Sequence, residues 1–265
     1  MSDTPANHAA NPCAIILAAG KGTRMGSDLP KVVHPVGDRP MVAIVAQACH
    51  AVGCSPIVAV VGHGKEHVEQ ALQGAPGDIR FALQAEQLGT GHAVLAAEAS
   101  LAGLDPDTNV LVLCGDGPLI REDTLHTLLR THTAANAAAT LATAIVEDPA
   151  GYGRIVRDSD GRFARIVEQK NATPDELAIR EINPSYYCFR LGPLMEALHH
   201  VERNPKTGEY YLTDVPALLL AGGARVEVVD AVPAEDVLSI NTPEQLAQVD
   251  RIYRQRQHAA KGTHA

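Results

Sequence analysis

Short, mostly apolar runs alternate with helix-forming stretches through the first half of this chain. That alternation limits the folds open to it more than any other feature. Cys13–Ala18, Pro56–Val61, Ile79–Leu83, Val110–Cys114 and Thr140–Val146 read as strands. Met41–Val52, Lys65–Leu72, Gly91–Leu101 and Glu122–His132 read as the helices between them. A strand that is apolar on both faces must be covered on both. With helices as connections, this implies a parallel sheet between two helical layers. The expected class is α/β with a mainly parallel sheet.

The second half changes character. Gly153–Arg157 and Arg162–Val167 flank an Asp-Ser-Asp-Gly turn at 158–161 and read as a β-hairpin. Further strands are expected at Tyr186–Arg190 and Arg225–Val229. Helices are expected at Leu194–Val201, Val215–Leu220 and Pro243–Arg256. Thr242-Pro243 supplies an N-cap followed by proline at the first helical position. No repeat and no long linker divides the 265 residues, so one domain over 13–257 with a β-rich insertion is expected. Residues 1–12 and 258–265 read as flexible tails.

The charge balance narrows the function classes. There are 22 Lys+Arg against 31 Asp+Glu, a net charge of −9. This argues against nucleic acid or an anionic membrane as partner, but leaves room for a small polyanion in a locally basic pocket. No run reaches the roughly 18 apolar residues of a membrane span, and the polar N-terminus lacks a secretory signal pattern, so a cytoplasmic location is expected. The five cysteines form no CxxC pair and read as free, mostly buried thiols.

Such a pocket has an obvious candidate. The first strand runs into Leu17-Ala18-Ala19-Gly20-Lys21-Gly22-Thr23-Arg24-Met25-Gly26, followed by Leu29-Pro30-Lys31. Glycines let backbone N–H groups approach phosphate oxygens, and the cations neutralise their charge. GxGxxG would need glycine at Met25, and the Walker A spacing is absent. A surface turn with solvated charges is the bland alternative. A second motif, Gln84-Ala85-Glu86-Gln87-Leu88-Gly89-Thr90-Gly91-His92-Ala93, places an amide able to pair with a base edge just before a glycine turn, where Thr90 can cap the next helix. A third, Cys114-Gly115-Asp116, sets a carboxylate at the C-terminal end of a strand, where open α/β sheets bind ligands.

Together these motifs resemble the nucleotidyltransferases that make nucleoside-diphosphate sugars, and within them the N-acetylglucosamine-1-phosphate uridylyltransferase domains of bifunctional enzymes. The signature L-A-A-G-x-G-T-R-M…P-K is matched residue for residue, and the likeness runs over about residues 13–250. It implies a Rossmann-like sheet, with 13–133 mainly binding nucleotide and 134–257 mainly binding sugar. It implies that Leu17, Ala18, Ala19, Gly20, Gly22 and Thr23 bind nucleotide, that Gln84, Gly89 and Thr90 read uracil, and that Arg24 and Lys31 are catalytic. It places Mg²⁺ on Asp116 and Asn241. It assigns the sugar to Gly153, Glu168 and Asn183, with the Glu209-Tyr210-Tyr211-Leu212-Thr213-Asp214 run nearby. The partners it implies are UTP and a sugar 1-phosphate, N-acetylglucosamine 1-phosphate first.

The chain departs from that pattern twice. Cys114-Gly115-Asp116-Gly117 stands where the family reads Tyr-Gly-Asp-Val, and Asn183-Pro184-Ser185 where it reads Asn-Thr-Gly. Another sugar phosphate or nucleotide, or a nucleotide-sugar sensor without turnover, therefore stays open. The hexapeptide repeats of the bifunctional relatives are missing from these 265 residues, so neither acetyl transfer nor trimerisation is expected, and a monomer or homodimer is left. His63 and His67 lie four apart across a glycine, without a third ligand to make a metal site.

Overall fold

The computed structural model describes residues 11–262. In chain order its elements are β1 (Cys13–Leu17), β2 (Pro35–Val36), β3 (Arg39–Pro40), α1 (Met41–Ala51), β4 (Ile57–Val61), α2 (Lys65–Ala71), β5 (Ile79–Leu83), α3 (Thr90–Ala96), β6 (Asn109–Cys114) and α4 (Glu122–Ala135). There follow β7 (Ala139–Ile145), β8 (Gly153–Arg157), β9 (Phe163–Val167), α5 (Pro174–Leu177), β10 (Glu181–Arg190), α6 (Leu191–Leu198), α7 (Val215–Ala221), β11 (Val226–Asp230) and α8 (Pro243–Gly262).

The main sheet has the order β11-β7-β10-β6-β1-β4-β5, with the β8–β9 hairpin attached through β10. Strands β6, β1, β4 and β5 run parallel. β11 lies parallel to β7, while β10 runs antiparallel to both β6 and β7. Alternate residues of β1 feed two cores: Ala14 and Ile16 pack on the side of α1, α2 and α4, Cys13 and Ile15 on the side of α3, α6 and α7. A third cluster joins Met25, Val36, Met41, Leu119, Ile240 and Val249, and thereby packs α8 against the glycine loop and the β2–β3 ribbon.

Several expected boundaries move. The strand expected at Tyr186–Arg190 begins at Glu181, because Pro184 and Ser185 form an irregularity within it rather than a break before it. Ser185 sits at φ 65, in the left-handed region. The helix expected over Gly91–Leu101 ends at Ala96 and gives way to a 3-10 turn. α6 starts at Leu191, directly after β10. Of the expected C-terminal tail, residues 258–262 instead continue α8. Residues 1–10 and 263–265 of the expected tails lie outside the described residues. The β2–β3 ribbon and α5 were not anticipated. No helix among the described residues is long and apolar enough to cross a membrane.

Register decides where the site lies. Leu17 is level with Cys114 and with Val60, and Val61 with Leu83, so the loops after β1, β5 and β6 leave from one rim. β10 runs the other way, so its first residues return to that rim. This is the carboxyl edge of the parallel strands, where such sheets bind ligands.

Candidate active site

A cavity of about 640 Å³ opens along that rim. Its first wall begins with the loop after β1. Gly22 holds φ 61, and a Cβ there would stand 2.6 Å from the Lys31 Cβ. Glycine is therefore what lets the two ends of this loop touch. The loop carries Arg24 and Lys31 to one acceptor: Arg24 Nη2 donates to Asn241 Oδ1 at 2.9 Å, and Lys31 Nζ donates to the same oxygen at 3.0 Å. The Lys31 ammonium also pairs with the Asp116 carboxylate, and both side chains are mostly shielded from solvent. Four residues from three distant parts of the chain are thus linked through the Lys31 ammonium and the Asn241 oxygen.

Asn241 is delivered by a strap, residues 231–242, that crosses the rim between β11 and α8. Asp236, 1% exposed, is gripped by Arg121 at the start of α4 and by Arg256 of α8. Tyr186 Oη donates to the Asp236 carbonyl at 3.3 Å, Tyr152 Oη to the Val237 carbonyl at 3.0 Å, and the Ile240 N–H to the Asp116 carbonyl at 3.4 Å. Past the strap, Gln245 N–H donates to Thr242 Oγ1 at 3.3 Å and Gln245 Oε1 accepts from Thr242 N–H at 3.2 Å. Thr242 is therefore the N-cap that the sequence suggested, and Gln245 completes the reciprocal pair.

The opposite wall is the turn after β5. Gln84 is 4% exposed and its Nε2 donates to the Gly89 carbonyl at 3.0 Å. Gln87 Nε2 donates to the Ala19 carbonyl at 2.6 Å and ties this turn to the glycine loop. Gly89 holds φ 103, and a Cβ would come within 2.5 Å of the Tyr210 carbonyl oxygen. Thr90 does not cap α3. Gly89 holds the N-cap position with Thr90 one residue inside the helix, and the Thr90 hydroxyl accepts from the Leu212 N–H at 3.0 Å. The same lacing includes Tyr210 N–H to the Leu88 carbonyl at 2.7 Å and Gly91 N–H to the Tyr210 carbonyl at 2.8 Å.

A smaller cavity of about 160 Å³ adjoins the first and shares Cys114, Asp116, Gly151 and Glu168 with it. Gly153 and Asn183 line it. The Asn183 amide is already engaged, donating to Tyr187 Oη at 2.6 Å and accepting from the Ser185 N–H at 3.2 Å. Glu168 accepts from Thr213 Oγ1 at 3.0 Å. Burial pushes the Glu168 carboxyl above the ordinary carboxylate range; the Thr213 hydrogen bond opposes this, and the charges of Asp214 and Glu209 add to it. Burial raises Asp214 as well.

Of the residues expected from sequence, Leu17, Ala19, Gly20, Arg24, Lys31, Gln84, Gly89, Thr90, Asp116 and Glu168 line the larger cavity. Asn241 joins through Arg24 and Lys31. Ala18 is packed in the core with its N–H on the Val60 carbonyl. Gly22 lines neither cavity, and Thr23 opens a 3-10 turn. Sequence reasoning gave no role to Gln87, Gln169 or Lys170 and placed Tyr211 only in a run near the sugar; all four also line the larger cavity. Gln169 and Lys170 directly follow Glu168, so proximity was the available signal. The Asp236 clamp left none, since its arginines are 115 and 20 residues away.

Among the described residues no group of three or more His, Cys, Asp or Glu is placed to hold a metal. The pair of oxygens at Lys31, one carboxylate and one amide, is a different kind of donor set: hard, sparse, and open to ligands from a substrate.

Comparison with known proteins places these features in context. Residues 14–204 match the family model of the MobA-like NTP transferase domain. The bifunctional protein GlmU of Pelobacter propionicus is 48% identical over 246 residues, covering 93% of this chain and 53% of that protein. GlmU of Clostridium acetobutylicum is 45% identical over 244 residues, covering 92% and 52%. The chain thus spans about half the length of the curated relatives it matches. Among solved structures, UDP-glucose pyrophosphorylase complexed with UDP-glucose superposes with a TM-score of 0.74 at 18% identity, covering 93% of this chain and 99% of that one. That likeness is one of fold.

Proposed function

The chain belongs to the MobA-like NTP transferase domain family, and from that premise we propose that it transfers UMP from UTP to a sugar 1-phosphate, with N-acetylglucosamine 1-phosphate as first acceptor. One observation carries the reading: Arg24, Lys31, Asp116 and Asn241 form one bonded cluster at the rim of a cavity large enough for a nucleotide.

The acceptor phosphate is itself the nucleophile. Its oxygen attacks the α-phosphorus of UTP in line; a P–O bond forms, the bond to pyrophosphate breaks, and no protein side chain enters a covalent intermediate. What the chain must supply is position and charge. Lys31 and Arg24 are the cations on hand. Incoming phosphate oxygens compete with Asn241 for both and with Asp116 for Lys31. The Gln84 turn faces the base and Glu168 faces the sugar hydroxyls. The latter stands on the shared wall of the two cavities, which suits a ligand spanning both.

The Asp116 and Asn241 oxygens fit Mg²⁺, which takes carboxylate and phosphate oxygens together with water. When bound there, Mg²⁺ would supply charge neutralisation on the phosphate oxygens. The test is product identification by mass spectrometry. UTP, CTP, ATP and GTP would each be offered with a panel of sugar 1-phosphates and Mg²⁺. UDP-N-acetylglucosamine as the main product is expected. A different UDP-sugar would keep the chemistry and move acceptor choice to Gly117 and Ser185. No nucleotide-sugar from any pair would end the reading.

A further inference from the structure

We propose that His92 is a positioning residue that fixes which face of the Gln84 amide meets the nucleobase, and so enforces a base with a ring N–H beside a carbonyl. The proposal rests on the reading of this cavity as a nucleotide site.

The amide of Gln84 has two protein neighbours. Its Nε2 lies 3.0 Å from the Gly89 carbonyl oxygen and 3.1 Å from Nδ1 of His92, in the first turn of α3. The carbonyl can only accept, which identifies the atom facing it as nitrogen. An NH₂ group can only donate, so His92 Nδ1 accepts and the ring proton is on Nε2. Both hydrogens of the amide are thereby used inside the protein. Among the described residues no group donates to Gln84 Oε1, and that oxygen is not a buried orphan, so it is left to whatever fills the cavity. The Gly89 N–H likewise meets no acceptor among the described residues.

The turn is rigid enough for this to matter. Gly89 is pressed against Tyr210, and its neighbours bond to residues 210 and 212. The cavity is offered an acceptor from Gln84 and a donor from Gly89. The edge of uracil, N–H beside C=O, complements that pair. Cytosine presents a bare ring nitrogen at the same place and would need the amide turned over. Turning it over would set Oε1 against the Gly89 oxygen and would require the His92 ring proton to leave Nε2 for Nδ1. Selectivity therefore belongs to the orientation of one amide, and His92 holds one of its two locks.

The experiment is calorimetric titration of UTP and CTP, in buffer containing Mg²⁺, into wild type, His92→Leu and His92→Asn. Asparagine can place an acceptor oxygen where Nδ1 stands; leucine cannot. Loss of one neutral hydrogen bond predicts that His92→Leu narrows the UTP-over-CTP affinity ratio by about 3- to 10-fold, while His92→Asn keeps the wild-type ratio. An unchanged ratio in His92→Leu would overturn the proposal. So would an equal fall in both variants, since that marks a packing role. A wild type that binds both nucleotides without preference would instead remove the base reading on which the proposal stands.

Discussion

The Lys31 ammonium faces Asp116 and Asn241 oxygens at once, and in the proposed transfer a triphosphate competes for it. Removing a preorganised charge donor from a transferring phosphoryl group costs on the order of 10²–10³ in rate, so Lys31→Ala should lower kcat by that factor in a pyrophosphate-release assay. Arg24 is exposed and should matter less. Gly89→Ala tests the opposite wall. A Cβ at φ 103 meets the Tyr210 oxygen, so the variant should lose about 1–3 kcal/mol in urea denaturation and bind UTP weakly. Glu168 gives a pH signature. Its carboxyl is raised in the folded chain, so in the pH window between its unfolded and folded values the native state holds a proton that the unfolded chain has released. Stability from this group is full below its unfolded value and falls as pH rises through the folded one. Glu168→Gln should therefore melt higher than wild type at pH 7, with the gap closing as pH drops toward the acid range. An equal gap at every pH would count against a buried charged carboxylate.

At the scale of elements, the strap 231–242 is what brings Asn241 to Arg24 and Lys31. Breaking a buried pair costs about 3–5 kcal/mol; both arginines on Asp236 are partly exposed, so Asp236→Ala should cost about 2–3 kcal/mol in chemical denaturation. Pyrophosphate release should fall alongside it, because Asn241 loses its anchor. The strap also shows what sequence can and cannot tell. β1, β4 and β6 were legible because they are buried on both faces and read as unbroken apolar runs. The direction of β10 was not legible, since no local pattern says whether a strand runs with or against its neighbours. Its start was hidden by Pro184 and Ser185, which look like a loop and form an irregularity within the strand. The glycine loop and the Gln84 turn were readable as loops from their glycines, while the roles expected of them came from the family resemblance. Thr90 was misjudged as a cap because its partner, Leu212, is 122 residues away. Long-range hydrogen bonds of this kind, like those of Asp236, leave no trace in a local window.

In the whole molecule, two helical layers cover the sheet, and the open rim between them holds both cavities. In the proposed reading, the loops at the carboxyl ends of the parallel strands β1, β5 and β6 supply the phosphate and base walls. The antiparallel β10 with its β8–β9 hairpin supplies the wall of the smaller cavity. α8 closes the arrangement by packing back on the glycine loop through Ile240, Val249 and Met25. The account stands on the claim that these parts meet to transfer a nucleotidyl group. The most direct test is pyrophosphate release from UTP with N-acetylglucosamine 1-phosphate and Mg²⁺, comparing wild type with Asp116→Ala, both checked for a folded state. Release by the wild type that is strictly dependent on the acceptor and lost in the variant is the predicted result. Undiminished release by the variant, or none by a wild type that still binds UTP, would contradict the account.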